Sequence, residues 1–303
     1  MKGIPVRAFA IVLVALLPAI GCVAELVYSN DFGDAAGELW SEPRRTRTPI
    51  GPRPYLGLFG PEEVTLTLTN LGEHAFLRVS VSLMLASDWD GSGHWGPDIW
   101  QCRLDDGRNL VLATFNNCGL LEWNAVNRKQ TFPDNTLAKI THRAGTGAIE
   151  RGTLGYWWQE EGVDSVYRFD MVFPHSKKSA VIHFAGRYAE PGTVRQTEAG
   201  FTKAGKGQFW GVDDVQVHTL AATSPLDEAA MNECWQNLAG DDAVLAHKSV
   251  WRMVASPGES VPFIRSQYDT QKEELRVLLL QLEAETFPER MSEARAVLNV
   301  AIK

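Results

Sequence analysis

The tightest constraint in this chain is a strict two-residue alternation. Val64, Leu66 and Leu68 alternate with Thr65, Thr67 and Thr69, and Leu77, Val79, Val81, Leu83 and Leu85 alternate with Arg78, Ser80, Ser82 and Met84. Successive side chains of a strand point to opposite faces, so each segment buries one face and turns the other to water. Tyr167, Phe169, Met171 and Phe173 repeat the pattern, and Ala180, Ile182 and Phe184 follow as the next strand. Residues 99–104 and 110–115 read as a hairpin about Asp106-Gly107. Spaced strands without intervening helices predict a mainly β fold, an antiparallel jelly-roll β-sandwich over residues 25–219.

Two stretches frame that sandwich. Residues 27–32, Val-Tyr-Ser-Asn-Asp-Phe, read as the opening strand, and residues 209–217, Phe-Trp-Gly-Val-Asp-Asp-Val-Gln-Val, as the closing one. In the closing stretch Trp210 and Val212 share one parity, while Val215 and Val217 share the other. One residue has to be absorbed around Asp213-Asp214, which predicts a β-bulge. Between the opening strand and residue 54 lies a polar connection carrying Trp40 and a basic cluster, Arg44, Arg45, Arg47 and Arg53, read as a solvated loop with an anion or partner contact as the alternative.

Beyond residue 219 the period changes. Ser224 reads as a cap, Pro225 as the first helical position, and Asp227 and Glu228 suit the first turn. That helix reaches about Leu238 and stops at Gly240; a second starts at Asp241 and ends at Ser256-Pro257-Gly258. A short helix holds Phe263 and Ile264, a longer one aligns Leu275, Leu278, Leu279 and Leu282, and a last one carries Phe287, Met291, Ala294, Leu298 and Ala301. About two stacked pairs fit into residues 220–303, a small all-α helical-repeat unit.

The first 24 residues read as a secretory signal: Lys2 and Arg7, then an apolar run over residues 8–17, then Pro18 and Gly21. Cleavage after Ala24 competes with a lipobox-like Ala19-Ile20-Gly21-Cys22, which would place lipid on Cys22. Pro18 and the nearness of the first strand weaken the second reading. The apolar run is too short to span a bilayer comfortably, and no later stretch is long enough. The net charge is −8, and losing Lys2 and Arg7 with the leader takes it to −10. An acidic surface repels phosphate backbones and anionic membranes, which excludes nucleic acid as the expected partner. Export permits disulfides. With Cys102 facing Val111 across the hairpin, Cys118 falls seven residues further on, about 23 Å along a strand, so a Cys102–Cys118 bridge competes with buried free thiols.

Residues 88–99 form the first metal candidate. Asp88, Asp90, Ser92 and Gly93 occupy the first, third, fifth and sixth places of a calcium loop, with Asp98 near its end; oxygen ligands at alternate positions converge on one hard cation. A hydrogen-bonded surface turn is the competing reading. Trp157 and Trp158 with Glu160 and Glu161 suit a sugar-binding strand, an aromatic platform beside acids for hydroxyls, and Trp95 with Trp89 and Trp100 around the loop is the alternative ligand site. The acids lack the Glu-x-Asp-x-x-Glu spacing of sandwich glucanases. The histidines lack zinc-site spacing, and no nucleophile elbow or phosphate loop occurs.

Asn30-Asp31-Phe32 with Trp40, Asp88-Trp89-Asp90-Gly91 leading to Gly96-Pro97-Asp98, and residues 210–215 together resemble the concanavalin A-like and MAM-type jelly rolls of secreted bacterial proteins. The resemblance implies a recognition module for carbohydrate or protein, structural calcium, and a second acid group, Asp31 with Asp213 and Asp214. Residues 227–303 resemble HEAT-like (PBS-lyase-type) repeats, a layout associated with secreted planctomycete proteins, and imply a protein-contact scaffold. The leading expectation is an exported, noncatalytic recognition protein of the cell envelope or medium. A glycoside hydrolase on the same sandwich and a structural envelope component are the alternatives.

Overall fold

A computed structural model of the chain describes residues 24–87, 89–92, 96–117, 129–134, 137, 142–158, 161–188 and 207–284, without the side chains of residues 157, 158, 161, 162, 275 and 277–284. The strands in chain order are β1 (Ala24–Asn30), β2 (Arg45–Arg47), β3 (Pro54–Phe59), β4 (Glu63–Leu68), β5 (Phe76–Ser87), β6 (Ile99–Leu104), β7 (Asn109–Thr114), β8 (Lys129–Gln130), β9 (His142–Arg143), β10 (Glu150–Arg151), β11 (Trp157–Trp158), β12 (Glu161–Gly162), β13 (Asp164–Pro174), β14 (Ala180–Arg187) and β15 (Gln208–Leu220). Helices α1 (Glu228–Ala239), α2 (Ala243–Val254) and α3 (Pro257–Ala284) follow. The molecule is mainly β, built from antiparallel sheets.

The larger sheet runs β10-β13-β5-β15-β3-β2, with β1 also on β15, and the smaller runs β4-β14-β6-β7. Their apolar faces meet. Trp100 of β6 stacks on Phe169 of β13 at 5.4 Å between ring centroids, and Trp40 lies 5.6 Å from Phe184 of β14. The alternating residues sort onto two faces as the sequence predicts, Leu77, Val79, Val81, Leu83 and Leu85 in this core and Arg78, Ser80 and Ser82 opposite, but the second face is not turned to water from Ser80 onward: Ser80 and Ser82 are buried, and Met84 packs into a second cluster with Tyr55, Tyr156 and Val166. The hairpin has the expected register, Cys102 opposite Val111. Cys102 and Cys234 are buried free thiols, while Cys118 lies outside the described residues.

The opening and closing strands do pair, Tyr28 with Val217 and Asn30 with Val215. The opening strand starts earlier than read, since Ala24 already pairs with Leu220, and Phe32 is a buried core residue beyond its end. One edge of β15 follows β5; the other is shared by β3 at Trp210–Val212 and β1 from Val215 onward. At that junction the β5 register slips between Asp213 and Gln216, and Asp214 takes a φ of 48°. This is the bulge that the parity change requires, and it keeps Val212 and Val215 both inside.

β3 was not legible as a strand, and the basic cluster before it is not a solvated loop. Arg44 pairs with Glu62 at 2.9 Å and lies over the Phe59 ring; Arg45 donates to the Phe32 carbonyl at 2.8 Å; Arg47 donates to the Pro52 carbonyl at 2.9 Å; Arg53 bonds Glu150 at 2.9 Å. Each guanidinium finds an acceptor where the chain folds back on the sheet edge.

The helical segment departs from the expected layout. Asp227, not Ser224, caps α1, accepting the Ala230 N–H at 2.8 Å, and Asp242 caps α2 by accepting from Val244 and Leu245. The expected break between the short helix and the longer one is absent: α3 is continuous and carries Pro262 inside it. Three helices with one long member replace two stacked pairs in the described residues, and the last expected helix lies outside them. The core also crosses the change at residue 219. Ring contacts run from Phe115, just after β7, to Phe132 at 5.2 Å and on to His247 of α2 at 5.5 Å, and Trp251 joins the sandwich core. The second helix therefore closes the core against β13 of the larger sheet.

Candidate functional site: a charged belt and an acid-bearing bulge

The outer face of the larger sheet carries a continuous polar belt. Arg78 grips Asp170 through Nε at 2.7 Å and through its terminal nitrogen at 2.5 Å, and Ser80 donates to the same carboxylate at 3.0 Å. Arg168 donates to the Ser82 hydroxyl at 2.9 Å and to the Asp214 carbonyl at 3.3 Å, with the Asp214 carboxylate 3.7 Å away. These residues stand on β13, β5 and β15 at paired positions, Asp170 opposite Ser80 and Arg168 opposite Ser82. The local cause is alternation: polar residues at every second position align across neighbouring strands. Burial works against the Asp170 carboxylate, but Arg78 holds its pKa below the usual range.

At the bulge the belt meets a buried acid. Asp213 is 3% exposed; its Oδ1 accepts the Asp214 N–H at 2.8 Å, and its Oδ2 lies 3.6 Å from Arg53 Nε. Burial pushes its pKa up to about 6, with the Asp214 and Asp31 charges adding to the rise and the Asp214 N–H and Arg53 opposing it. Asp31 and Asp214, the acids that the resemblance groups with Asp213, are near enough for their charges to act on it, and each of the three is engaged by protein groups. Asp31 accepts the N–H of Gly33 at 3.0 Å, Asp213 faces Arg53, and Asp214 faces Arg168. Among the described residues no group of three or more His, Cys, Asp or Glu could hold a metal ion.

The loop before β6 is tied together by its own acid. The buried Asp98 carboxylate accepts the Asp90 N–H at 2.5 Å, and the Asp98 N–H donates to the Gly91 carbonyl at 2.9 Å. The Ser92 hydroxyl bonds Thr114 at 2.6 Å. Asp88, Gly93 and Trp95 lie outside the described residues, as do Glu160 and Cys22. Trp89 and Trp100, the alternative platforms, are core residues with no exposed surface: Trp89 donates to the Phe209 carbonyl at 2.9 Å, and Trp100 stacks on Phe169. Trp157 and Trp158 do form a strand, pairing with Gly162 and Glu161.

Asp164, just after that hairpin, is a structural anchor. It accepts N–H groups from Thr153, Leu154, Gly155 and Tyr156 at 2.9–3.2 Å, which folds residues 153–156 over the sheet. Tyr156 then meets Tyr55 hydroxyl to hydroxyl. The sequence did not single out Arg168 and Asp170 and placed Arg53 only in a loop cluster. Arg168 and Asp170 had a usable signal, since they alternate with the core residues of β13; Arg53 had none for its contact with Asp213, because that partner is distant in sequence.

No family model and no curated protein matches this chain. Among solved structures, the catalytic domain of Agl-KA overlaps 69% of this chain at 10% identity and a TM-score of 0.28, and this chain covers 30% of it. The CBM22-1 xylan-binding domain of Paenibacillus barcinonensis Xyn10C overlaps 67% of this chain and is itself 99% covered, at 10% identity and a TM-score of 0.27. Overlaps at these scores transfer neither a ligand nor a residue role to this chain.

Proposed function

We propose that this chain is an exported, noncatalytic recognition protein whose β-sandwich, a jelly roll, binds a glycan on the outer face of its larger sheet. The belt of Arg78, Asp170, Ser80, Arg168, Ser82 and Asp214 carries this reading. It sets partly exposed guanidinium forks and carboxylates at strand spacing on one face, above the buried hydroxyls of Ser80 and Ser82. Such donor and acceptor pairs match the vicinal hydroxyls of a sugar and need only to exchange partners on binding. The Trp157-Trp158 strand supplies the aromatic partner in this scheme, and the helices dock a protein. Among the described residues no helix is long and apolar enough to cross a membrane.

The test is a glycan and polysaccharide panel probed with purified residues 24–303, beside the Arg168→Ala and Asp170→Ala variants. Saccharide-specific binding lost in both variants supports the reading. Absence of binding, or binding that both variants retain, overturns it. One observation favours a glycoside hydrolase-like alternative: Asp213, raised to about 6, beside an acidic neighbour, the pairing a proton donor needs. Its burial behind Arg53 opposes that role. Polysaccharide hydrolysis abolished by Asp213→Asn would establish the alternative instead.

A further inference from the structure

We propose that the free edge of β2 docks an extended acidic peptide, which adds an antiparallel strand to the larger sheet and sets carboxylates at alternate positions against Arg45 and Arg47. β2 ends the order of that sheet and pairs only with β3. The Gly57 N–H donates to the Arg44 carbonyl at 2.9 Å, and the Thr48 N–H to the Arg53 carbonyl at 3.0 Å. In an antiparallel ladder such bonded pairs recur at every second residue, so the main-chain N–H and C=O groups of Arg45 and Arg47 point away from β3. Among the described residues nothing pairs with that edge. The edge lies apart from the polar belt, whose residues stand on β5, β13 and β15.

The side chains at the same two positions are exposed and carry uncompensated charge. Arg44 is paired with Glu62, and Arg53 with Glu150 and Asp213. Arg45 and Arg47 meet only carbonyls among the described residues. Arg45 Nη1 donates to Phe32 at 2.8 Å and to Gly33 at 3.2 Å, and Arg47 Nη1 donates to Pro52 at 2.9 Å. A carbonyl is neutral, so it holds each guanidinium in place and leaves its charge and its Nε–Nη2 fork free for a carboxylate. The turn that holds Arg45 is itself fixed: the Asn30 side chain accepts the Phe32 N–H at 2.7 Å and donates to the carbonyls of Ala35 and Ala36. Charge on an edge strand ordinarily blunts it against pairing; here it also selects the partner. A second copy docked antiparallel on β2 would set Arg45 against Arg47, like charge against like. An acidic strand instead places a carboxylate opposite each, because alternate residues of both strands share one face and one spacing, about 7 Å. Main-chain bonds then supply affinity, and the two forks supply specificity.

The experiment is fluorescence anisotropy of a labelled, end-capped peptide alternating glutamate with threonine, titrated with the purified full chain. The wild type is expected to bind it, and not a peptide with lysine in place of glutamate. Arg45→Ala combined with Arg47→Ala is expected to weaken binding about tenfold. Arg47→Ala alone, which gives up only the Pro52 carbonyl, is expected to weaken it about threefold and serves if the double variant fails to fold. Arg45→Glu combined with Arg47→Glu is expected to reverse the preference in favour of the lysine peptide. Methylation of the glutamate nitrogens, which face β2 in the docked register, is expected to abolish binding, and methylation of the threonine nitrogens to leave it intact. Lys177→Ala, which removes an exposed cation from the turn after β13, is expected to bind as the wild type. Absence of binding by the wild type, wild-type affinity in Arg47→Ala, equal effects of the two methylations, an equal loss in Lys177→Ala, or binding of polygalacturonate in place of the peptide would each overturn the proposal.

Discussion

His247 and Asp213 give the stability of this protein two opposed pH dependences, and single substitutions should separate them. His247 is 9% exposed, packed 5.4 Å from the Phe169 ring and 5.5 Å from Phe132, and its Nε2 accepts the Trp251 indole N–H at 3.2 Å. Burial holds its pKa down, from 6.5 to about 4, with the Asp170 charge opposing weakly. The unfolded chain therefore takes up a proton through pH 6.5 that the folded chain refuses until about pH 4, and stability falls on acidification across that window. The displacement corresponds to about 3 kcal/mol. Asp213 runs the other way. Its pKa rises from 3.8 to about 6, so the folded chain holds a proton that the unfolded chain has lost; stability is full below 3.8 and declines as pH rises through 6. That loss is also about 3 kcal/mol.

The perturbations are His247→Gln, which keeps an acceptor for Trp251, and Asp213→Asn, which keeps one for the Asp214 N–H. The assay is urea unfolding followed by circular dichroism at intervals from pH 7.5 to pH 4. Relative to wild type, His247→Gln should gain about 3 kcal/mol as pH falls across this range, whatever its offset at neutrality. Asp213→Asn should start about 3 kcal/mol more stable than wild type at pH 7.5 and lose that advantage by pH 4. Differences from wild type that stay constant with pH would refute the assignment of these two groups.

Other consequences follow from the packing. Asp164→Asn leaves one oxygen to receive the N–H groups of residues 153–156 and should cost about 2–3 kcal/mol, with faster amide exchange confined to that segment. Trp100→Ala empties the space stacked on Phe169 and should cost about 3–5 kcal/mol by urea unfolding. Asp214→Gly relieves a left-handed residue at φ 48° and should raise stability by about 0.5–1 kcal/mol; a fall in Tm would refute the strain argument. The Cys102 thiol, which burial pushes far up, should not react with a thiol reagent until urea unfolds the chain.

Local pattern determined much of this molecule. Alternation assigned β4, β5, β13 and β14 and the faces of each, because a pleated strand sorts side chains by parity alone. The slip between Val212 and Val215 located the bulge for the same reason, while the helix starts were read early, at Ser224 and Asp241, where Asp227 and Asp242 are the caps. The tertiary structure alone decided what touches what. β15 lies between β5 on one side and β3 with β1 on the other, and Arg53 reaches Asp213 across about half of the chain. Asn116 meets a turn 26 residues behind it. Trp89 and Trp100 became core instead of platforms, and α2 closed the sandwich, because burial depends on which distant faces meet. Periodicity records how a segment is divided into two faces; only the assembled sheets determine what each face is pressed against.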